Sequence, residues 1–181
     1  VYSQSRELPG HEIRHEVGDE LDGVVDIYGS GHGEFTDRLW SEVHRTHIER
    51  KATSLANHRF QIVIENVKHP NYVSEKFYDS LKTHTVPIYR GGEESVRKMG
   101  FDTDGVIFFE TIEELRSIVE DLPPARYREM RPAVERNRER LVELRRENRF
   151  QFVLNSVMHG YMHSVESYHQ RNYDELVLEF E

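Results

Sequence analysis

The spacing of apolar positions along the chain changes several times, and each change predicts an element. Over 11–22, Ile13, Val17 and Leu21 recur every fourth residue behind Pro9 and Gly10, which predicts a short helix following a breaker pair. Val24, Val25, Asp26, Ile27 and Tyr28 form a β-branched run that stops at Gly29, Ser30 and Gly31, so a strand and a tight turn are expected next. Residues 37–55 are mostly polar with Leu39, Trp40, Val43 and Ile48 interspersed, a pattern that suits a helix packed on one side but sets no limits to it. Phe60, Ile62 and Ile64 then alternate with Gln61 and Val63 as a strand does, and Ser74 is placed to cap a helix through Glu75, Phe77, Tyr78 and Leu81. A strand over 85–89 ends at Gly91 and Gly92. After an irregular stretch, 106–109 reads as another strand leading into a helix over 111–122, where Thr111 and Glu114 have the spacing of a capping box.

Strands alternating with helices at this interval imply βαβ units, hence an α/β fold with a parallel sheet and helices on both faces. After Pro123 and Pro124 the composition turns to Arg and Glu, with Met130, Val134, Leu141 and Leu144 spaced for one or two amphipathic helices. The expected organisation is an α/β domain over 1–125 and a helical extension over 126–181 that packs on it. No internal repeat or low-complexity tract interrupts it.

Charge and composition narrow the function. A formal net charge of −9 on 181 residues opposes broad contact with nucleic acid, which needs a surplus of Lys and Arg, so any bound phosphate must meet a local basic site. The chain has no cysteine, which removes disulfides, thiolate metal sites and sulfur redox chemistry. Its longest apolar runs, such as 24–28 and 62–64, fall far short of the ~20 residues of a membrane-spanning helix. A soluble chain with no transmembrane segment is expected. It opens on Val1 without a signal-peptide pattern, so a fragment of a longer protein is expected too. Its compartment follows from the source: cytoplasmic or membrane-peripheral for a microbial or viral protein, the Golgi lumen for a eukaryotic one.

In open parallel sheets ligands bind beyond the carboxyl ends of the strands, which directs attention to the loop after the 60–64 strand. That loop reads Glu65, Asn66, Val67, Lys68, His69, Pro70, Asn71, Tyr72, and Ser74, Glu75 and Lys76 then open the next helix. A nucleoside diphosphate needs positive charge and backbone donors for its phosphates, an oxygen acceptor for ribose hydroxyls, and often an aromatic face. Lys76 in a first helical turn can act on a phosphate together with free N–H groups, and Glu75 can accept from hydroxyls. The same residues also suit a plain helix cap with a solvated lysine, and spacing alone does not choose between the two.

The segment FQIVIENVKHPNYVSEKFYDSLKTHTVPIYRGG resembles the donor-binding signature of the α1,3-fucosyltransferase family, glycosyltransferase family 10, which runs F-x-x-x-x-E-N, Y-[VI]-T-E-K, V-P-[IV] and G. Ser74 stands where that signature has threonine and keeps the hydroxyl. Upstream, GHEIRHEVGDELDGVVDIYGSG is similar to a family segment in which an arginine and a helix precede V-D-[VI]-[YF]-G, and Arg14 falls on that arginine; FDTDGVIFFETIEEL resembles the strand and helix that follow the donor loops. The resemblance spans roughly 11–122. It implies one Rossmann-like half of a GT-B fold, in which this carboxy-terminal domain holds GDP-fucose while a separate amino-terminal domain holds the acceptor glycan and normally supplies the base. On that implication Arg14 and Lys76 stabilise the departing GDP, Glu75 meets ribose or fucose hydroxyls, Tyr72 and Asn66 pack against and hydrogen-bond the donor, Ser74 belongs to the same binding turn, and Glu65 supports it. The reaction would be an inverting displacement with no cofactor required; divalent-metal dependence stays open. A non-catalytic nucleotide-sugar-binding or interaction module is the alternative.

Other features are weaker. His159 and His163, with His169 beyond them, and His11 with His15 have the four-residue spacing of a helical metal pair, without a carboxylate at a suitable interval. The Gly-rich turn at 29–33 lacks a full phosphate-loop fingerprint, Asp102-Thr103-Asp104 reads as a loop rather than a metal motif, and the arginines of 126–149 are offset by interleaved glutamates.

Overall fold

Three of the apolar runs become the strands of one parallel sheet. A computed structural model of the chain describes residues 8–27, 55–70 and 72–147. Among these, β1 (Phe60–Ile64), β2 (Val86–Arg90) and β3 (Ile107–Phe108) lie in the order β1-β2-β3, with Phe60 opposite Val86, Ile64 opposite Arg90, and Ile88 opposite Ile107. Pro87 sits in the middle strand, where a missing N–H is usually costly. Val86 donates to Arg59 O on the β1 side, so the next backbone nitrogen faces β3, whose pairing begins only at Ile88.

Helices cover both faces. α1 (Pro9–Glu20) and α4 (Ile112–Glu120) share one face, where Leu21, Ile64, Ile88, Phe109, Ile112 and Leu115 form a core bordered by Ile13, Val17, Phe60 and Ile62. On the other face α2 (Glu75–Lys82) sets Phe77 5.0 Å from Tyr89 and 5.4 Å from Phe101, between ring centroids. Alternation in β1 and β2 produces this division: even-numbered Ile62, Ile64 and Ile88 point one way, odd-numbered Tyr89 the other. The expected α/β class, a Rossmann-like parallel sheet with helices, is the observed one.

The remaining described elements are α3 (Glu93–Lys98), a 3-10 turn (Thr103–Gly105) and α5 (Pro124–Glu147), which runs as one helix through Pro132. Two compact units are formed, Val1–Leu141 and Val142–Glu181, and of the second only 142–147, the end of α5, is described. Within the first unit, α5 buries Met130, Ala133, Val134 and Leu141. Asn137, 1% exposed, clasps the backbone of Asp102: its Nδ2 donates to Asp102 O at 2.9 Å while its Oδ1 accepts from Asp102 N at 2.6 Å. Arg136 donates to the Asp102 carboxylate and, chiefly through that bond, holds its pKa below the usual value.

Several sequence expectations need correction. Pro9 and Gly10 do not precede α1 but begin it, because proline at the first helical position gives up only an N–H that would be unsatisfied anyway. The run from Val24 forms no strand among the described residues: Gly23 turns at φ +78°, Val24 and Val25 both donate to Leu21 O, and Val24 is 49% exposed. Only an isolated bridge, Asp22 to Val25, remains of it. The stretch after Gly92 is not irregular, since α3 forms there with i,i+4 pairs Glu93–Arg97 and Glu94–Lys98. The Asp102-Thr103-Asp104 triplet does precede a strand as read, and its last two residues open a 3-10 turn capped by Asp102, which accepts from Asp104 N. Of the 37–55 helix, all but Leu55 lies outside the described residues, as do Tyr28, the 29–33 turn and the histidines from His159 on.

The Asn137 clasp predicts that Asn137→Ala leaves two buried backbone groups of Asp102 without their partners. Urea unfolding should show a loss of about 1–3 kcal/mol, with the midpoint moved and the slope unchanged.

Candidate functional site

The carboxyl end of β1 is where polar groups meet. Glu65 continues the strand by donating its N–H to Arg90 O at 3.0 Å, and its side chain turns inward to 1% exposure. Its Oε1 accepts from Ser74 N at 2.8 Å and from the Tyr89 hydroxyl at 3.0 Å. Asn66, 4% exposed, uses its carbonyl oxygen to accept Gly10 N from α1 at 3.0 Å. Gly10 has to be glycine for this approach: a Cβ there would lie 1.9 Å from Glu65 O.

That close approach delivers Arg14 one turn later. Arg14, 8% exposed, donates through Nη2 to Ile64 O at 2.5 Å and to Asn66 Oδ1 at 2.6 Å, across a separation of 50 residues or more in sequence. Burial lowers its pKa, and the charges of Glu65, then Glu75 and then Tyr72 oppose that shift. Burial also raises the pKa of Tyr89 and Tyr78, reinforced in both by Glu65.

The start of α2 is held to the same strand end by the Ser74–Glu65 bond. Ser74 is its N-cap and accepts from Lys76 N at 3.3 Å. Lys76 folds back over this turn, its Nζ 3.4 Å from Ser74 Oγ and 3.1 Å from Glu75 Oε1, with 12% of its side chain exposed against 45% for Glu75. The capping reading from sequence therefore holds for Ser74. It does not exclude binding, because Lys76 is held in the first turn, where the helix dipole favours an anion.

All the residues singled out from sequence, Arg14, Glu65, Asn66, Tyr72, Ser74, Glu75 and Lys76, thus gather around one strand end and one helix start. Within the group, Glu65 and Asn66 are interior, while Glu75 is the exposed carboxylate. Sequence reasoning did not find Gly10 or Tyr89, whose parts depend on packing between distant segments. Nor did it find Lys68 and Arg90, which converge on Glu110 at the same edge of the sheet: Lys68 pairs with its carboxylate and Arg90 Nε donates to its backbone oxygen at 3.0 Å. Burial lowers the pKa of both cations. His11 and His15 are buried in α1, and among the described residues no group of three metal-ligating side chains forms. No helix among the described residues is long and apolar enough to cross a membrane.

Residues 8–124, more than half of the chain, match the family model described as glycosyltransferase family 10 (fucosyltransferase) C-term. No curated protein and no solved structure matches the chain. The match begins one residue before Pro9 and so takes in the whole of α1.

Gly10→Ala should push α1 away from Glu65 and Asn66 and strip Arg14 of its partners. A thermal melt followed by circular dichroism should show a fall equivalent to about 2–4 kcal/mol; an unchanged melt would mean that α1 does not dock through this contact.

Proposed function

The chain belongs to glycosyltransferase family 10, the fucosyltransferases, and from that premise we propose that it is the donor-binding domain of an inverting fucosyltransferase that uses GDP-fucose. Membership makes it a fucosyltransferase-like glycosyltransferase domain; the donor, the residue roles and the stereochemistry are our reading. The observation that carries this reading is the set of hydrogen bonds that ties Arg14 directly, and Lys76 through Ser74, to the residues at the end of β1. Arg14 arrives from α1 and bonds Ile64 O and Asn66 Oδ1, while Lys76 arrives from the first turn of α2, where its Nζ meets Ser74 Oγ and, at 3.1 Å, Glu75 Oε1.

In the proposed reaction an acceptor hydroxyl oxygen bonds to the fucose anomeric carbon from the face opposite GDP. The bond from that carbon to the β-phosphate oxygen breaks, its electron pair leaves with GDP, and the hydroxyl proton passes to a carboxylate base in an acceptor domain outside the residues described. Negative charge develops on the leaving diphosphate. Lys76, at the positive end of the α2 dipole, stabilises that charge where it forms, and Arg14 adds a fixed positive field. Glu75 is the exposed acceptor for ribose or fucose hydroxyls, Tyr72 offers an aromatic face, and Asn66 orients Arg14 through its Oδ1. Two cations suffice to neutralise a diphosphate on this reading, so no resident cofactor is required.

Calorimetric titration of the full chain with GDP-fucose, GDP, UDP-galactose and UDP tests the proposal. GDP ligands should bind in preference, and Lys76→Ala should weaken them by ~1.5–3 kcal/mol, the value of a charged hydrogen bond. A folded chain that binds no nucleotide, or a Lys76→Ala variant that binds as the parent does, would contradict it.

A further inference from the structure

Glu65 is the least exposed charged residue of the cluster, and its burial sets what it can do. At 1% exposure its carboxylate is closed to a phosphate or sugar hydroxyl, although it lies within the stretch that resembles a donor signature. Oε1 takes both of its hydrogen bonds, from Ser74 N at 2.8 Å and Tyr89 Oη at 3.0 Å, whereas Oε2 is buried with no hydrogen-bond partner among the described residues. Leaving one oxygen of a buried carboxylate unsatisfied is costly, and a simple cap for Ser74 N would not need a charge at all. Two features offset the cost. Arg14 is buried beside it, and among the charges that favour the guanidinium cation Glu65 comes first. The Tyr89 hydroxyl, fixed in the middle strand with its ring against Phe77, aims the carboxylate at Ser74.

We infer that Glu65 is a positioning residue: it fixes the N-cap of α2, and with it Lys76, relative to Arg14, and so sets the spacing of the two cations that receive the donor's diphosphate without touching the donor. This rests on the donor-site reading above. The path is short: Glu65 Oε1 holds Ser74 N, Ser74 Oγ accepts from both Lys76 N and Lys76 Nζ, and Arg14 is tied to the residues on either side of Glu65. A residue that acts this way has an effect on binding that depends on Lys76 being present. One that only stabilises the fold does not.

A double-mutant cycle on GDP affinity separates the two. Glu65→Gln keeps an acceptor for Ser74 N but loses the charge-assisted bond, and should weaken GDP binding ~10-fold in a sample that melts cooperatively. In the Lys76→Ala background the same change should cost about twofold or less, because the group being positioned is gone. Tyr89→Phe, which leaves the carboxylate charged but removes one of its two holds, should weaken GDP about threefold. A folded Glu65→Gln that binds GDP like the parent, or that loses the same factor with and without Lys76, overturns the inference while leaving the donor site in place. If Glu65→Gln does not fold, Tyr89→Phe decides: parent-like GDP affinity overturns the inference. A parent chain that binds no nucleotide overturns the donor-site reading and this inference with it.

Discussion

The anchoring of a buried guanidinium to the end of a strand is the constraint from which the rest of the site follows. Arg14 is 8% exposed, and a buried ion without partners costs several kcal/mol. Its bonds to Ile64 O and Asn66 Oδ1, each worth about 1.5–3 kcal/mol because the donor is charged, bring that cost back toward balance. They do so only if α1 lies against β1, which is why the helix begins with a glycine at the contact and why a carboxylate, Glu65, is buried alongside. Remove the arginine and the same interior holds a carboxylate with no countercharge. The pieces of this end of the sheet are therefore interdependent in a way that isolated surface ion pairs, such as Glu94–Lys98, are not.

Much of the architecture was legible because local and tertiary preferences agree. Alternation over Phe60, Ile62 and Ile64 gave β1 its limits, Ser74 and Thr111 cap the helices that follow them, and strands spaced by helices gave a parallel sheet. The misreadings arise where the two disagree. Pro9 and Gly10 look like breakers in isolation; their place inside α1 is decided by the backbone of Glu65 and Asn66, more than fifty residues away. Val24 and Val25 look like a strand, but Gly23 turns the chain and Leu21 O takes their N–H groups. α3 has Val96 as its one buried apolar side chain, so it leaves almost no hydrophobic period, and only its paired charges at i,i+4 could have marked it.

The candidate site was legible as a group of residues but not as an arrangement. The resemblance gave Glu75 to hydroxyls and Glu65 to support, and burial divides them further, with Glu65 sealed inside and the Glu75 side chain 45% exposed. What seals Glu65 is contact with Tyr89 and with Ser74 N, which come from other segments of the chain. The overall charge of −9 was likewise no guide to the local field, because the fold ties Arg14 from α1 to the end of β1, more than fifty residues away in sequence.

The central claim is that Arg14 and Lys76 form one diphosphate site at the carboxyl end of β1. A crystal structure of the chain with GDP tests it most directly. The claim predicts the β-phosphate at ~3 Å from Lys76 Nζ, with Arg14 still bonded to Ile64 O and Asn66. GDP bound at another edge of the sheet, or at this edge with the diphosphate turned away from Lys76, would contradict it.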